Sequence, residues 1–164
     1  MANLQQAIDL ATRAHQGQAD KVTGVPYITH PLRVMDAVGG TAAKMVGVLH
    51  DVLEDTPVTA ADLRAAGFSE QVVAGVLAVT RLESESYAQF VVRCKGDALG
   101  RQVKLADLKD NFNLPRTLVR LDRLRDDFRR LLRYALSFRY LLDEMTDGEY
   151  LAAMEEVDRL IPEA

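Results

Sequence analysis

The chain has only three histidines, and two of them lie in a sequence context that would suit a metal ligand. His50 is followed directly by Asp51, and His30 precedes a proline that should fix the start of a helix. Neutral imidazole nitrogens and carboxylates from separate elements are common ligands of divalent transition metals. His15 lies on the apolar side of the first predicted helix and is expected to be structural. His30, His50 and Asp51 are therefore the first candidates for chemistry.

Two more acidic residues follow the His-Asp pair one helical turn later. Glu54 lies four positions after His50 and Asp55 four positions after Asp51, so on a helix they form two neighbouring rows. Carboxylates buried beside apolar residues cost several kcal/mol unless a cation or a donor compensates them. A charged run at a helix end is more commonly a solvated rim. This helix alone therefore leaves both interpretations open.

A fourth candidate ligand comes from the second half of the chain. Asp107 follows the apolar positions of segment 103–106 and could be drawn toward the interior. Two histidines and two aspartates suit Mn²⁺, Fe²⁺ or Zn²⁺ and leave positions for water and substrate. The alternatives are that His30 caps a helix or lies in the core, and that Asp107 is an exposed residue paired with Lys104 or Lys109.

Four strings of sequence resemble the HD superfamily of hydrolases. They are AHQGQ at 14–18, GVPYITHP at 24–31, LHDVLEDT at 49–56 and VKLAD at 103–107. The similarity is greater to the alarmone hydrolases, namely the hydrolase domain of RelA/SpoT-type proteins and their small single-domain relatives, and it covers about residues 8–140. The resemblance implies an all-helical HD-type bundle that binds one divalent metal, usually manganese. It also implies an enzyme that releases the 3′-pyrophosphate of guanosine tetra- or pentaphosphate.

The resemblance also implies roles for individual residues. Four would be the metal ligands: His30, His50, Asp51 and Asp107. Glu54 and Asp55 would orient the attacking water and manage its proton. Four others are candidates for contact with the substrate: Lys21, Thr23, Asn111 and Tyr134.

Two segments depart from the family pattern. Segment 20–23 reads Asp-Lys-Val-Thr where the family usually has Arg-Lys-Ser or similar, and Lys21 stands where arginine is usual. Lysine does not reproduce the planar, two-pronged grip of arginine. The family string KLADRLHN reads KLADLKDN here, so Leu108 and Asp110 replace an arginine and a histidine. We expect an intact metal centre with altered recognition of the guanine nucleotide.

Three functions are compatible with these features. The first is hydrolysis of (p)ppGpp. The second is the same chemistry on another phosphorylated nucleotide, such as an adenine alarmone or a nicotinamide dinucleotide phosphate. The third is a helical module that only senses a nucleotide or a partner. The complete ligand set argues against the third function, and the altered loop keeps the second open.

The rest of the sequence predicts the helices that position these residues. Apolar residues recur every three or four positions and no strand pair is evident, which predicts an all-α fold with a single domain over residues 1–164. A second helix should begin at Pro31 with His30 as its N-cap, and Thr41 should cap the third. The other predicted helices cover about 2–16, 41–55, 60–66, 71–79, 86–95, 100–112 and 149–160.

A long amphipathic helix is predicted beyond Pro115. Its buried stripe should comprise Leu121, Leu124, Phe128, Leu131, Ala135, Phe138 and Leu142. Eight arginines lie between positions 116 and 139, and they are expected to form its solvated face.

Composition excludes several classes of protein. The chain has 164 residues, 48% of them hydrophobic and 27% charged, which fits one globular domain. A net charge of −4 argues against nucleic-acid and membrane partners. A single cysteine, Cys94, excludes an intramolecular disulfide and a cysteine-rich zinc site. We expect a cytoplasmic protein whose partner is a small-molecule nucleotide; its oligomeric state is left open.

Overall fold

The structure, a computed structural model, describes residues 1–21, 23–113 and 119–162. Within these residues the chain forms ten α-helices, and the one strand-like contact among them is an isolated bridge between Ala19 and Pro26. In chain order the helices are α1 (Leu4–Ala14), α2 (Thr29–Asp36), α3 (Thr41–Leu49), α4 (Val52–Asp55), α5 (Ala60–Ala65), α6 (Glu70–Val79), α7 (Tyr87–Lys95), α8 (Ala98–Asn111), α9 (Leu124–Leu141) and α10 (Asp147–Leu160). The all-α prediction is confirmed.

Most of the predicted helices are present, and their ends differ from the predicted ones by no more than three residues. Val22, Pro115 and Arg116, which entered the sequence analysis, lie outside the described residues. None of the helices in the described ranges is both long and apolar enough to cross a membrane.

The helices bury two hydrophobic clusters. The first joins α1, α2, α3 and α6 around side chains such as Val34, Val46, Leu49, Val72 and Val76. The second joins α7, α9 and α10 through Phe90, Val91, Tyr140, Leu141 and Tyr150. Helix α8 contributes Val103 and Ala106 to the first cluster and Leu108 to the second. It therefore lies between the two clusters and carries Asp107 there.

The helix predicted over 41–55 is wrong: it is divided into α3 and α4, with His50 and Asp51 between them. The Nδ1 of His50 donates to the carbonyl oxygen of Gly47 at 2.8 Å. In a continuous helix that carbonyl would accept from the amide four residues later, so the imidazole competes with the helical bond. The N-cap of α3 is Gly40, at φ +85°, and not Thr41 as predicted.

The start of α2 also differs from the prediction. The helix begins at Thr29, so His30 lies within its first turn and is not the N-cap. The amides of Thr29 and His30 donate to the carbonyls of Pro26 and Tyr27 at 3.1 and 2.9 Å, which starts the helix before the proline. Pro31 is tolerated there because the amides of the first turn have no carbonyl partner within a helix.

The buried stripe predicted for the long helix is wrong. Leu121 is 90% exposed and precedes α9 in a 3₁₀ turn, and Phe128 is 49% exposed. The buried residues of α9 are Asp127, Arg129, Ser137, Tyr140 and Leu141. The N-terminal half of α9 turns polar residues inward because they have partners there: Asp127 accepts from Arg120, and Arg129 pairs with Asp158 of α10. Arg129 therefore does not belong to a solvated face.

Candidate metal centre and its cavity

Four side chains that the sequence singled out converge in the structure. The Nε2 of His30 lies 3.3 Å from Asp107 Oδ1 and 3.7 Å from Asp51 Oδ2. The Nε2 of His50 lies 3.0 Å from Asp51 Oδ2 and 3.8 Å from Asp107 Oδ1. One ligand atom each of His30, His50 and Asp107 lies within 4.8 Å of the others. Helix α2, the α3–α4 junction and α8 deliver these groups to one centre.

Both imidazoles present the same nitrogen to this centre. The Nδ1 of His50 donates to the Gly47 carbonyl, and the Nδ1 of His30 lies 2.6 Å from Asp110 Oδ2, so both rings direct Nε2 inward. The Nε2 of His50 is buried and has no hydrogen-bond partner, although Asp51 Oδ2 is near. An unpartnered buried nitrogen costs free energy. A divalent cation would supply its partner, and the two imidazoles and two carboxylates fit such an ion.

The two aspartates of the centre carry negative charge. Burial alone would raise the pKa of Asp51, but the adjacent His50 outweighs this and lowers the pKa to about 2. Burial opposes ionisation of Asp107 as well, but Lys104 and the two histidines hold its pKa well below the usual range. The Nζ of Lys104 lies 2.7 Å from Asp107 Oδ2. Two anionic carboxylates thus face the histidine nitrogens.

Aromatic and polar side chains support Asp51 from behind. The hydroxyl of Tyr27 donates to Asp51 Oδ2 at 2.5 Å, and its ring packs on His15 with centroids 5.1 Å apart. Burial and the charge of Asp51 raise the pKa of Tyr27 well above the usual value, so the hydroxyl keeps its proton. The Nδ1 of His15 bonds to Gln18 Oε1 at 2.8 Å, but its buried Nε2 has no partner. His15 therefore packs against Tyr27, on the far side of Asp51, and only one of its two ring nitrogens has a hydrogen-bond partner.

The centre lines a cavity of about 730 Å³, which is in the size range of small-molecule sites. Three of the four candidate substrate contacts line it: Lys21, Asn111 and Tyr134. Thr23, the fourth, is not among the lining residues. Its amide and its hydroxyl both donate to Asp20 Oδ1, at 2.8 and 3.0 Å.

The acidic pair after the His-Asp motif also borders the cavity. Glu54 and Asp55 both line it, and Glu54 accepts a hydrogen bond from the backbone amide of Arg81. Burial raises the pKa of both carboxyls, and the charge of Asp51 adds to the rise. A carboxylate with a raised pKa is a better proton acceptor than an ordinary one.

The structure adds cavity residues that the sequence did not single out. They include Arg81, Tyr87, Lys104 and Arg130. Lys104 was considered only as a partner of an exposed Asp107; the pair exists, but Asp107 is buried and the Lys104 side chain is only 12% exposed. Arg130 was set aside with the arginine run of α9. Helical periodicity gave no signal for them, because Arg81 lies in the loop between α6 and α7 and the positions of the other three depend on how α7, α8 and α9 pack.

Comparison with known proteins gives a consistent picture. No family model matches the chain. A GTP pyrophosphokinase of Streptomyces coelicolor is 35% identical over 133 residues, which is 73% of this chain and 16% of that protein. The bifunctional (p)ppGpp synthase/hydrolase SpoT of Escherichia coli is 33% identical over 142 residues, 77% of this chain and 19% of that protein. The chain spans less than a fifth of the length of these curated relatives.

A relative from Mycoplasma pneumoniae is named a probable guanosine-3′,5′-bis(diphosphate) 3′-pyrophosphohydrolase. It is 35% identical over 110 residues, which is 60% of this chain and 14% of that protein. Among solved structures, a metazoan orthologue of SpoT that hydrolyses ppGpp matches with a TM-score of 0.66 and 22% identity. The match covers 98% of this chain and 96% of that one. The resemblance to the HD-type (p)ppGpp hydrolases and the all-α HD-type fold are thereby confirmed.

Proposed function

We propose that this chain is a metal-dependent hydrolase that releases pyrophosphate from the 3′ position of guanosine-3′,5′-bis(diphosphate). The observation that carries the proposal is the convergence of His30, His50, Asp51 and Asp107 at the wall of a cavity large enough for a nucleotide. Sequence relatives named for this reaction support it. We also propose that residues 1–164 form a single domain, that the bound ion is Mn²⁺ and that the protein is cytoplasmic.

The cavity supplies the groups that this reaction requires. A divalent ion held by the four side chains would neutralise phosphate charge and lower the pKa of water. Glu54 and Asp55 would orient the attacking water and accept its proton, a contribution of about 10²–10⁴-fold in rate. Cationic side chains would hold the phosphate groups of the substrate: Lys21, Arg81, Lys104 and Arg130.

A second candidate substrate is favoured by the loop around Asp20. Because Thr23 directs both its amide and its hydroxyl to Asp20, neither donor is available to a nucleotide. Lys21 is then the cationic side chain that this loop contributes to the cavity. An adenine alarmone or a nicotinamide dinucleotide phosphate would require different contacts from this loop. Hydrolysis of one of these nucleotides by the same chemistry is therefore the alternative.

A hydrolysis screen with the full chain tests both candidates. The protein is incubated with ppGpp, pppGpp, an adenine alarmone or NADPH, in the presence of Mn²⁺ or of EDTA, and the products are identified by chromatography. We expect Mn²⁺-dependent formation of GDP and pyrophosphate from ppGpp. Faster turnover of another nucleotide would favour the alternative substrate. Metal binding without turnover of any nucleotide would contradict the enzyme proposal and favour a sensing module.

A further inference from the structure

The outer nitrogen of His30 faces a carboxylate to which the proposed function gives no role. The Nδ1 of His30 lies 2.6 Å from Asp110 Oδ2. Both groups are shielded from water, because the His30 side chain is 4% exposed and that of Asp110 is 11% exposed. Since an ionised carboxylate can only accept hydrogen bonds, the proton of this contact lies on Nδ1. Nε2 is then the nitrogen of His30 that is left to act as a metal ligand, and it faces Asp51 and Asp107.

A second helix-to-helix contact holds Asp110 in place. Arg33 donates from Nε to Asp110 Oδ1 at 2.7 Å and from Nη2 to Oδ2 at 3.1 Å, a two-pronged arrangement that fixes the plane of the carboxylate. His30 and Arg33 are three positions apart on α2, and Asp107 and Asp110 are three positions apart on α8, so each pair shares a helix face. Each helix thus provides one residue at the centre and one beside it.

We propose that Asp110 is a positioning residue for His30, and that Arg33 positions Asp110. The Asp110 carboxylate fixes the imidazole as the Nδ1–H tautomer and orients the ring so that Nε2 faces the metal centre. This inference rests on the proposed role of His30 as a ligand. A carboxylate behind a ligating histidine fixes the tautomer and strengthens the ring as an electron-pair donor.

The Nδ1 atoms of the two histidines of the centre have different hydrogen-bond acceptors. His50 donates to the backbone carbonyl of Gly47, which no substitution removes, whereas His30 depends on a side chain. Asp110 stands where the related family string has histidine, and an aspartate there adds a negative charge between the helices. Arg33 balances that charge, and its own outer part reaches water, with 41% of the side chain exposed. His30 is thus supported by a charged side-chain pair, whereas His50 is supported by the backbone.

The test compares Asp110→Asn with Asp143→Asn in the full-length chain. Asp143 is a matched control because it also pairs with an arginine, Arg101, at 2.6 Å, and it does not line the cavity. The dissociation constant for Mn²⁺ is measured by calorimetry, and the thermal unfolding of each metal-free variant is recorded beside it. We expect Asp110→Asn to weaken Mn²⁺ binding by about 10–100-fold and Asp143→Asn to leave it unchanged.

A second measurement does not depend on the stability of the variant. In the wild-type protein loaded with Zn²⁺, the ring proton on His30 Nδ1 should give a signal at lower field than that of His50, because its acceptor is an anion and not a carbonyl. The chain has only three histidines, which makes these signals assignable. In Asp110→Asn the His30 signal should move to higher field.

The outcomes separate this inference from the proposed function. Unchanged Mn²⁺ affinity in Asp110→Asn, or a His30 signal no further downfield than that of His50, would overturn the role of Asp110 while leaving the hydrolase proposal intact. Weakened metal binding without any nucleotide turnover in the wild type would support Asp110 and contradict the hydrolase. A wild-type chain that binds neither Mn²⁺ nor Zn²⁺ would overturn both.

Discussion

His50 and Asp51 are neighbours in sequence, and their side chains nevertheless reach the same centre. On a continuous helix, adjacent residues point about 100° apart, which is poor geometry for a shared ligand. The structure resolves this difficulty because α3 ends at Leu49 and α4 begins at Val52. The residue types are evident from the sequence, but apolar periodicity predicts one unbroken helix because the contact between His50 and the Gly47 carbonyl leaves no signature in that pattern.

Glu54 is a candidate acceptor for the proton of the attacking water. Replacing Glu54 with Gln removes a carboxylate that lines the cavity and whose pKa burial raises, but it leaves the four converging side chains in place. We expect kcat for the preferred nucleotide to fall by about 10²–10⁴-fold while one Mn²⁺ per chain stays bound. Steady-state kinetics and metal analysis of the purified variant measure the two effects.

Asp55→Asn is the matched comparison, because Asp55 is the other acidic residue beside the centre. A larger loss of kcat in Asp55→Asn than in Glu54→Gln would assign the proton transfer to Asp55. An unaltered kcat in Glu54→Gln would remove Glu54 from the mechanism.

Helix α8 contributes more residues to the site than any other described helix. It contributes to both hydrophobic clusters and carries Lys104, Asp107, Asp110 and Asn111. Its existence was predictable from the spacing of apolar residues. The burial of Lys104 was not predictable, because a lysine enters the interior only where a partner such as Asp107 compensates its desolvation.

Helix α9 shows the limit of periodicity as a guide. Its leucines and phenylalanines recur at helical spacing, but tertiary partners orient the helix. Tyr140 and Leu141 pack in the second cluster, and the buried Asp127 and Arg129 have charged partners. A stripe chosen by hydrophobicity alone cannot anticipate buried ion pairs. The exposed apolar residues of α9 include Leu124, Phe128 and Leu132.

A pair of substitutions tests this orientation of α9. Leu141→Ala removes a fully buried side chain, and we expect it to lower the free energy of unfolding by about 2–5 kcal/mol. Phe128→Ser changes a residue that is half exposed, and we expect a smaller loss because less apolar area leaves the interior. Urea denaturation of both variants measures the difference. Comparable losses at the two positions would show that Phe128 is buried in solution.

Two tyrosines of the second cluster make the free energy of unfolding depend on pH in the alkaline range. The rings of Tyr140 and Tyr150 stack with centroids 4.3 Å apart, and burial raises the pKa of Tyr150 to about 12 and that of Tyr140 above its usual value. An unfolded tyrosine titrates near ~10. Because the unfolded chain loses these protons first, we expect the free energy of unfolding to fall as pH rises above ~10.

Tyr150→Phe tests the source of this dependence. Without the Tyr150 hydroxyl, the slope of the unfolding free energy against pH above ~10 should be smaller than in the wild type. Urea denaturation at several alkaline pH values gives the two slopes. Equal slopes would show that Tyr150 makes no contribution.

The sequence predicts the all-α fold and the residue types of the centre because both depend on local patterns. Apolar periodicity marks the helices, and three of the four strings contain His30, His50, Asp51 and Asp107. The shape of the cavity depends on contacts between residues far apart in sequence. The backbone amide of Arg81 bonds to Glu54, 27 residues earlier, and the ring of Tyr134 lies 6.3 Å from that of Tyr87. Both contacts form only when segments distant in sequence pack together.

The most direct measurement is the Mn²⁺ content of the wild-type chain and of Asp51→Ala after equilibration with the metal and removal of the excess. The wild type should retain one ion per chain and hydrolyse its nucleotide. Asp51→Ala should retain none and lose turnover, with nearly unchanged helical content by circular dichroism, because Asp51 connects two helices and lies inside neither. Retention of the ion together with full activity in Asp51→Ala would contradict the assignment of this centre.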